Sequence, residues 1–256
     1  MVRAAVRPTS RWRAWWSARL VAGVLAGMLS LGVAAGADAR APGADDGLVY
    51  YLSPESVRLF DTASERDKSE FWPLSARFVS EVRQTFCGVA SSVMVLNALG
   101  IPSPVDPEWY PNQYWTQSNI FTASALKVVP SVHKIEGRGL TLDQLATLLR
   151  VSGAKVEAVF ASDTTLEAFR AAALDAMHKS DVFVVVNVLR GRLGQDGGGH
   201  ISPLAAYNPE ADRFLFMDVA RYKYLPSWIT ARQLFDAMQP VDPFSGKSRG
   251  FLLVSK

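Results

Sequence analysis

Cysteine is nearly missing from these 256 residues: Cys87 stands alone. A lone thiol excludes an internal disulfide, and it excludes any metal site built from two or more thiolates. Histidine is scarce as well, with only His133, His178 and His200. No stretch is of low complexity and no unit repeats, which excludes solenoids and propellers. Acidic residues are absent before Asp38, and that absence distorts the charge. Over the whole chain 27 basic residues face 24 acidic ones, a net +3. Without the five arginines of residues 1–37, 22 basic residues face 24 acidic ones, a net −2. The apparent basicity is therefore no argument for a nucleic-acid partner.

Arg3, Arg7, Arg11, Arg13 and Arg19 precede an apolar run from Leu20 to Ala35. Ala35-Gly36-Ala37, Ala37-Asp38-Ala39 and Ala39-Arg40-Ala41 follow it. A basic end, an apolar middle and a small-residue exit predict an export signal over residues 1–37, cleaved within 37–41. The run is short for a spanning helix. The expected product is periplasmic or extracellular, with no stable membrane insertion after cleavage. With 49% hydrophobic residues overall, residues 42–256 suffice for one cored domain.

Cys87 opens an apolar segment that runs to Gly100 and reads as a buried helix stopped by Gly100 and Pro102. Thr141-x-x-Gln144 and Thr164-x-x-Glu167 predict two further capped helices. A helix broken at Pro73 is expected within residues 66–80, a long loop over 102–122, and a last helix near Thr230–Met238. Strands are expected at Leu48–Leu52, Val156–Phe160, Val182–Leu189, Ile201–Tyr207, Arg213–Val219 and Phe251–Val254. Helices followed by a largely antiparallel sheet make the fold class α+β.

The helix start at Cys87 is a place where unpaired N–H groups stabilise a thiolate, and Gly88 leaves the sulfur open. The alternative is a small buried hydrophobe. His178 reads as a helix-end residue and His133 as a surface one. His200 differs: it follows Gly197-Gly198-Gly199 and opens an apolar strand, where a solvated imidazole is out of place. Asp218 lies inside Leu215–Val219, where an unpaired carboxylate is costly. A hairpin with a five-residue loop at 207–211 would set His200 opposite Asp218, on one face.

Nucleophile, base and orienting acid in the order Cys, His, Asp follow the papain arrangement. Phe86–Ser91, Val95–Leu99, Gly199–Pro203, Asp218–Tyr224 and Ser245–Phe251 together resemble the motifs of the phytochelatin synthase family. The resemblance implies a papain-like α+β catalytic domain over residues 42–256, with Cys87, His200 and Asp218 as its triad. It also implies attack of Cys87 on the Cys–Gly amide of glutathione, glycine release, and transfer of the γ-Glu-Cys unit to water or to a second glutathione. Arg249 matches a substrate-contacting arginine; Lys247, Arg221 and Gly199 are further substrate-binding candidates. The family keeps a Gln six residues before the cysteine as an oxyanion donor. Here that position is Glu81, with Gln84 the nearest Gln, so both are oxyanion candidates.

No tightly bound cofactor and no protein-held metal are expected. Cadmium or zinc would enter as a glutathione-thiolate complex, and no Cys-rich metal-sensing tail is expected. A homodimer is left open. Two other readings remain: a papain-like leader-peptide peptidase, and a non-catalytic thiol or metal binder on the same scaffold.

Overall fold

The computed structural model describes residues 47–256; the predicted export signal lies outside the described residues. Seven strands form one antiparallel sheet: β1 Val49–Tyr50, β2 Lys155–Phe160, β3 Val182–Leu189, β4 Gly199–Asn208, β5 Arg213–Phe216, β6 Ser227–Thr230 and β7 Gly250–Ser255. Their spatial order is β1-β6-β5-β4-β3-β7-β2. Eight α-helices accompany them: α1 Pro54–Thr62, α2 Phe71–Ser75, α3 Cys87–Ala98, α4 Ala125–Val128, α5 Val132–Arg138, α6 Leu142–Val151, α7 Leu166–Met177 and α8 Ala231–Met238. The architecture is α+β, as expected.

Alternation along the strands separates two cores. Phe183, Val185, Leu215, Trp228 and Leu252 face a cluster holding α3 and α6. Val184, Val186, Phe214, Phe216, Ile229 and Phe251 face a second cluster with α7 and α8. Period-two alternation in a sheet buried on both sides requires this division. Gly250 permits the tightest strand approach, since a Cβ there would sit 2.0 Å from the Val159 carbonyl oxygen.

Two local expectations shift. The capping box at Thr141 and Gln144 is present, but the second N-cap is Thr165, whose hydroxyl accepts from the Ala168 N–H, not Thr164. His133 lies on α5, a helix not among those expected, and is exposed as expected. His178 caps α7 at its C-terminus and sits 2.8 Å from Asp67.

Glu70 marks a built-in pH sensitivity. It is buried ahead of α2, its Oε2 has no partner, and burial, then Asp181, push its carboxyl up to about 8. An acid raised on folding contributes stability in full below its unfolded pKa, and that stability is lost as pH rises through the folded value. The free energy of unfolding should therefore fall between about pH 4.5 and pH 8. Glu70→Gln should stabilise the protein at pH 8 by roughly 2–3 kcal/mol and flatten that slope. Urea unfolding of both proteins at pH 5 and pH 8 checks this; parallel pH slopes would refute it.

Candidate active site

The first turn of α3 carries Cys87, with Phe86 as N-cap. The helix is held to the sheet where the Ser91 hydroxyl donates to the Ile201 carbonyl at 3.0 Å. Gly88 serves this packing: a Cβ there would stand 3.3 Å from Ile201 Cδ1. It brings α3 close to β4 and so carries the sulfur towards His200, the second residue of that strand.

His200 and Asp218 meet, although not in the register expected. Asn208 pairs with Arg213, so the loop is residues 209–212, and Ala206 opposes Leu215 instead of Asp212. A bulge between Leu204 and Ala206 then moves the pairing to Leu204 opposite Phe216. The shift from the expected register is three residues at the hairpin, an odd number that would put ring and acid on opposite faces. The bulge reduces it to two and restores the shared face. Asp218 lies just past the end of β5, diagonal to His200, with its Oδ1 2.8 Å from His200 Nε2.

Asp218 is fully buried and satisfied on every side. Arg190 donates to both of its oxygens, at 2.8 and 3.0 Å, and the Ala220 N–H donates to Oδ1 at 2.8 Å. Burial alone would raise this carboxyl, but His200 and Arg190 outweigh it and hold it well below the usual carboxylate range. Arg190 is itself 4% exposed, bonded to Gln195 at 2.5 Å and stacked on Tyr224. Sequence reasoning passed over this arginine. Its one signal was an arginine placed directly after the apolar strand Val182–Leu189 and before Gly191. Gly197 makes room for it: the backbone there has φ +126°, and a Cβ would press on Arg190 Cδ at 3.1 Å.

With Nε2 bonded to Asp218, Nδ1 is the ring nitrogen left for the sulfur. Cys87, His200 and Glu81 each place a donor atom within 4.8 Å of the other two. The thiol is not pre-ionised, contrary to what its helix position suggests. Burial, and next the Glu81 carboxyl, push it up to about 12. Burial also lowers His200, with Asp218 pulling the other way. Both shifts favour the uncharged forms, so burial opposes a thiolate–imidazolium pair here.

Glu81 is buried and close to the sulfur; its N–H donates to the Val219 carbonyl. The Tyr222 hydroxyl donates to its Oε1 at 2.5 Å, its Oε2 has no partner, and burial raises its carboxyl. Gln84 is exposed at the rim of the cavity that Cys87 lines. That cavity, of about 380 Å³, is also walled by Asn187, Gly199, Asp242 and Arg249. Arg249 is 4% exposed and donates to the Pro240 and Val241 carbonyls, while its Nε has no partner. Gly199 lies against this guanidinium.

Two candidates are not brought into the cavity. Lys247 pairs with Asp143 at 2.8 Å over the Phe160 ring, and Arg221 is exposed over Phe78. A larger cavity of about 650 Å³ beyond Phe86, walled in part by Arg83, Trp115 and Phe121, contains none of the three catalytic candidates.

The phytochelatin synthase family model matches residues 43–251. The chain is 36% identical over 211 residues to glutathione gamma-glutamylcysteinyltransferase 1 of Lotus japonicus, covering 81% of this chain and 40% of that protein. It is 34% identical over 211 residues to glutathione gamma-glutamylcysteinyltransferase 1 of Arabidopsis thaliana, covering 81% of this chain and 42% of that protein. The fission yeast Schizosaccharomyces pombe has a glutathione gamma-glutamylcysteinyltransferase 27% identical over 213 residues, covering 78% and 49%. This chain spans less than half the length of these relatives. A triad assembled on an α+β sheet, together with a match over nearly all the described residues, makes this chain a member of the phytochelatin synthase family.

Proposed function

We propose that this protein is a thiol enzyme that cleaves the Cys–Gly amide of glutathione. Cys87 forms a thioester with the γ-Glu-Cys unit, which then passes to water or to a second glutathione. The observation that carries the reading is the meeting of sulfur, imidazole and buried carboxylate, with the sulfur lining a cavity that also holds an arginine with a free Nε–H.

Each step follows from the site. As the Cys87 sulfur attacks the carbonyl carbon, His200 Nδ1 takes its proton, and Asp218 stabilises the imidazolium through Nε2–H. The Cys87 N–H at the helix start faces the developing oxyanion, and a protonated Glu81 would offer a second donor. His200 then returns the proton to the glycine nitrogen as the C–N bond breaks. Water or another glutathione amine then attacks the thioester carbonyl as His200 takes its proton; the C–S bond breaks, the acyl group leaves, and His200 returns the proton to the Cys87 sulfur. Glutathione carries two carboxylates, and the buried Arg249 supplies the charge-assisted donor for one of them. A cadmium or zinc ion would arrive as glutathione thiolate, part of the substrate.

The setting completes the proposal: exported from the cell by the segment 1–37, the enzyme meets dilute glutathione, and water competes well as acceptor. The test is mass spectrometry of wild type and Cys87→Ala after exposure to glutathione. A γ-Glu-Cys adduct on the wild type alone, with free glycine in solution, is expected. Glycine release by Cys87→Ala at the wild-type rate would defeat the reading.

A further inference from the structure

A glutamine at position 81 would present a neutral amide to the sulfur. The carboxyl found there instead changes what the site can hold. Its Oε2 is buried without a partner, and one of its oxygens lies within 4.8 Å of both the Cys87 sulfur and a His200 ring nitrogen. Three buried donors of different kinds thus converge, and one of them, Cys87, lines the cavity of about 380 Å³.

We propose that Glu81, Cys87 and His200 form a binding site for a divalent cation of zinc or cadmium type, and that an ion bound there silences the thiol. One thiolate, one imidazole and one carboxylate are ligands that zinc takes in tetrahedral sites. The soft sulfur favours zinc or cadmium over magnesium or calcium. Two negative ligands and one neutral one offset the +2 charge of the ion. On binding, the sulfur–metal and oxygen–metal bonds form, and the thiol proton, with any proton on the Glu81 carboxyl, leaves to solvent.

The surroundings are those a metal-bound histidine needs. Nε2–H is held by Asp218 at 2.8 Å, and Arg190 clamps that carboxylate in turn. This is the carboxylate–histidine arrangement that fixes a ring with its other nitrogen toward a metal. Tyr222 fixes the Glu81 carboxyl through Oε1. Donors sharing a zinc ion at about 2.0–2.3 Å stand roughly 3.3–3.7 Å apart. The site therefore has to close by about 1 Å, within reach of side-chain rotation. Cys87 lines the cavity, and water entering from that side would complete the shell.

The inference rests on the proposed function only in naming Cys87 as the nucleophile. An ion on the sulfur removes that nucleophile, so free metal stops the enzyme and excess glutathione restores it by chelating the ion. The enzyme then works when thiol exceeds metal.

Cobalt(II) serves as the spectroscopic stand-in. Added to the purified protein without glutathione, it should give a sulfur-to-cobalt charge-transfer band and intense tetrahedral bands, at one ion per chain. Cys87→Ser should lose the charge-transfer band. Glu81→Gln should weaken zinc at least about tenfold in competition with a chromophoric chelator. Circular dichroism and thermal unfolding confirm that both variants are folded. A cobalt spectrum without the sulfur band, or equal zinc affinity in Glu81→Gln and wild type, overturns the site. Glycine release is measured separately on metal-free protein. Glycine release without the band leaves the transferase and removes the metal site; the band without glycine release does the reverse.

Discussion

Asp218→Ala should lower the rate of glycine release from glutathione by about 10⁴-fold, the scale seen when the orienting acid of a catalytic triad is lost. The carboxylate does two things for His200. It accepts Nε2–H at 2.8 Å, which leaves Nδ1 unprotonated towards the sulfur. It also offsets the burial that lowers the ring's pKa. Without it the imidazole is free to take the tautomer with Nδ1–H, which cannot accept a proton from Cys87. The thiol, pushed up to about 12, then lacks the base that its attack requires. The effect should fall on kcat, with KM little changed, because Asp218 lies behind the ring and away from the cavity. A kcat within tenfold of wild type would show that His200 is held by other contacts, of which Ser202 Oγ at 3.1 Å is the nearest.

Arg190→Met should cost about 3–5 kcal/mol of stability, because it leaves a carboxylate with no exposed surface uncompensated. For a domain of this size that is a fall in Tm of roughly 10 °C or more. Activity should drop at least about 10²-fold as Asp218, no longer clamped, lets the ring drift. The double variant Arg190→Met with Asp218→Leu separates the two effects. Removing both charges should recover much of the lost stability, since a buried pair replaced by apolar groups is often neutral or better, while activity stays lost. Additive destabilisation in the double variant would mean that Arg190 and Asp218 are not energetically coupled.

The chemistry of this chain was legible where a residue type was out of place for its surroundings. One cysteine at a helix start, one histidine after three glycines and one aspartate in an apolar strand each stood out, and they meet. The strands Val182–Leu189 and Gly199–Asn208 were legible because β-branched and apolar runs continue for eight or more residues. β6 was missed: four residues after Pro226 give too little alternation to register. The hairpin register was misread because Asn208-Pro209 signals a turn but not its bounds, and pairing continues to Asn208 and Arg213; the compensating bulge at Leu204–Ala206 lies in a run of small and apolar residues with no turn signal. Arg190 was missed because Arg190-Gly191-Arg192 reads as a solvated turn, and only the fold closes Tyr224 and Gln195 over it. Lys247 and Arg221 followed the opposite course: suitable as charges, they point at Asp143 and Phe78.

The two-sided core has a last consequence. Cys87 belongs to the hydrophobic layer of α3, whereas His200 leans on Phe216 of the other layer, with ring centroids 5.9 Å apart. A chain with only one layer consolidated holds either the attacking atom or the group that activates it. Under the proposed function, turnover is therefore an all-or-none reporter of complete folding: a chain that has not yet collapsed on both sides of its sheet should leave glutathione uncut.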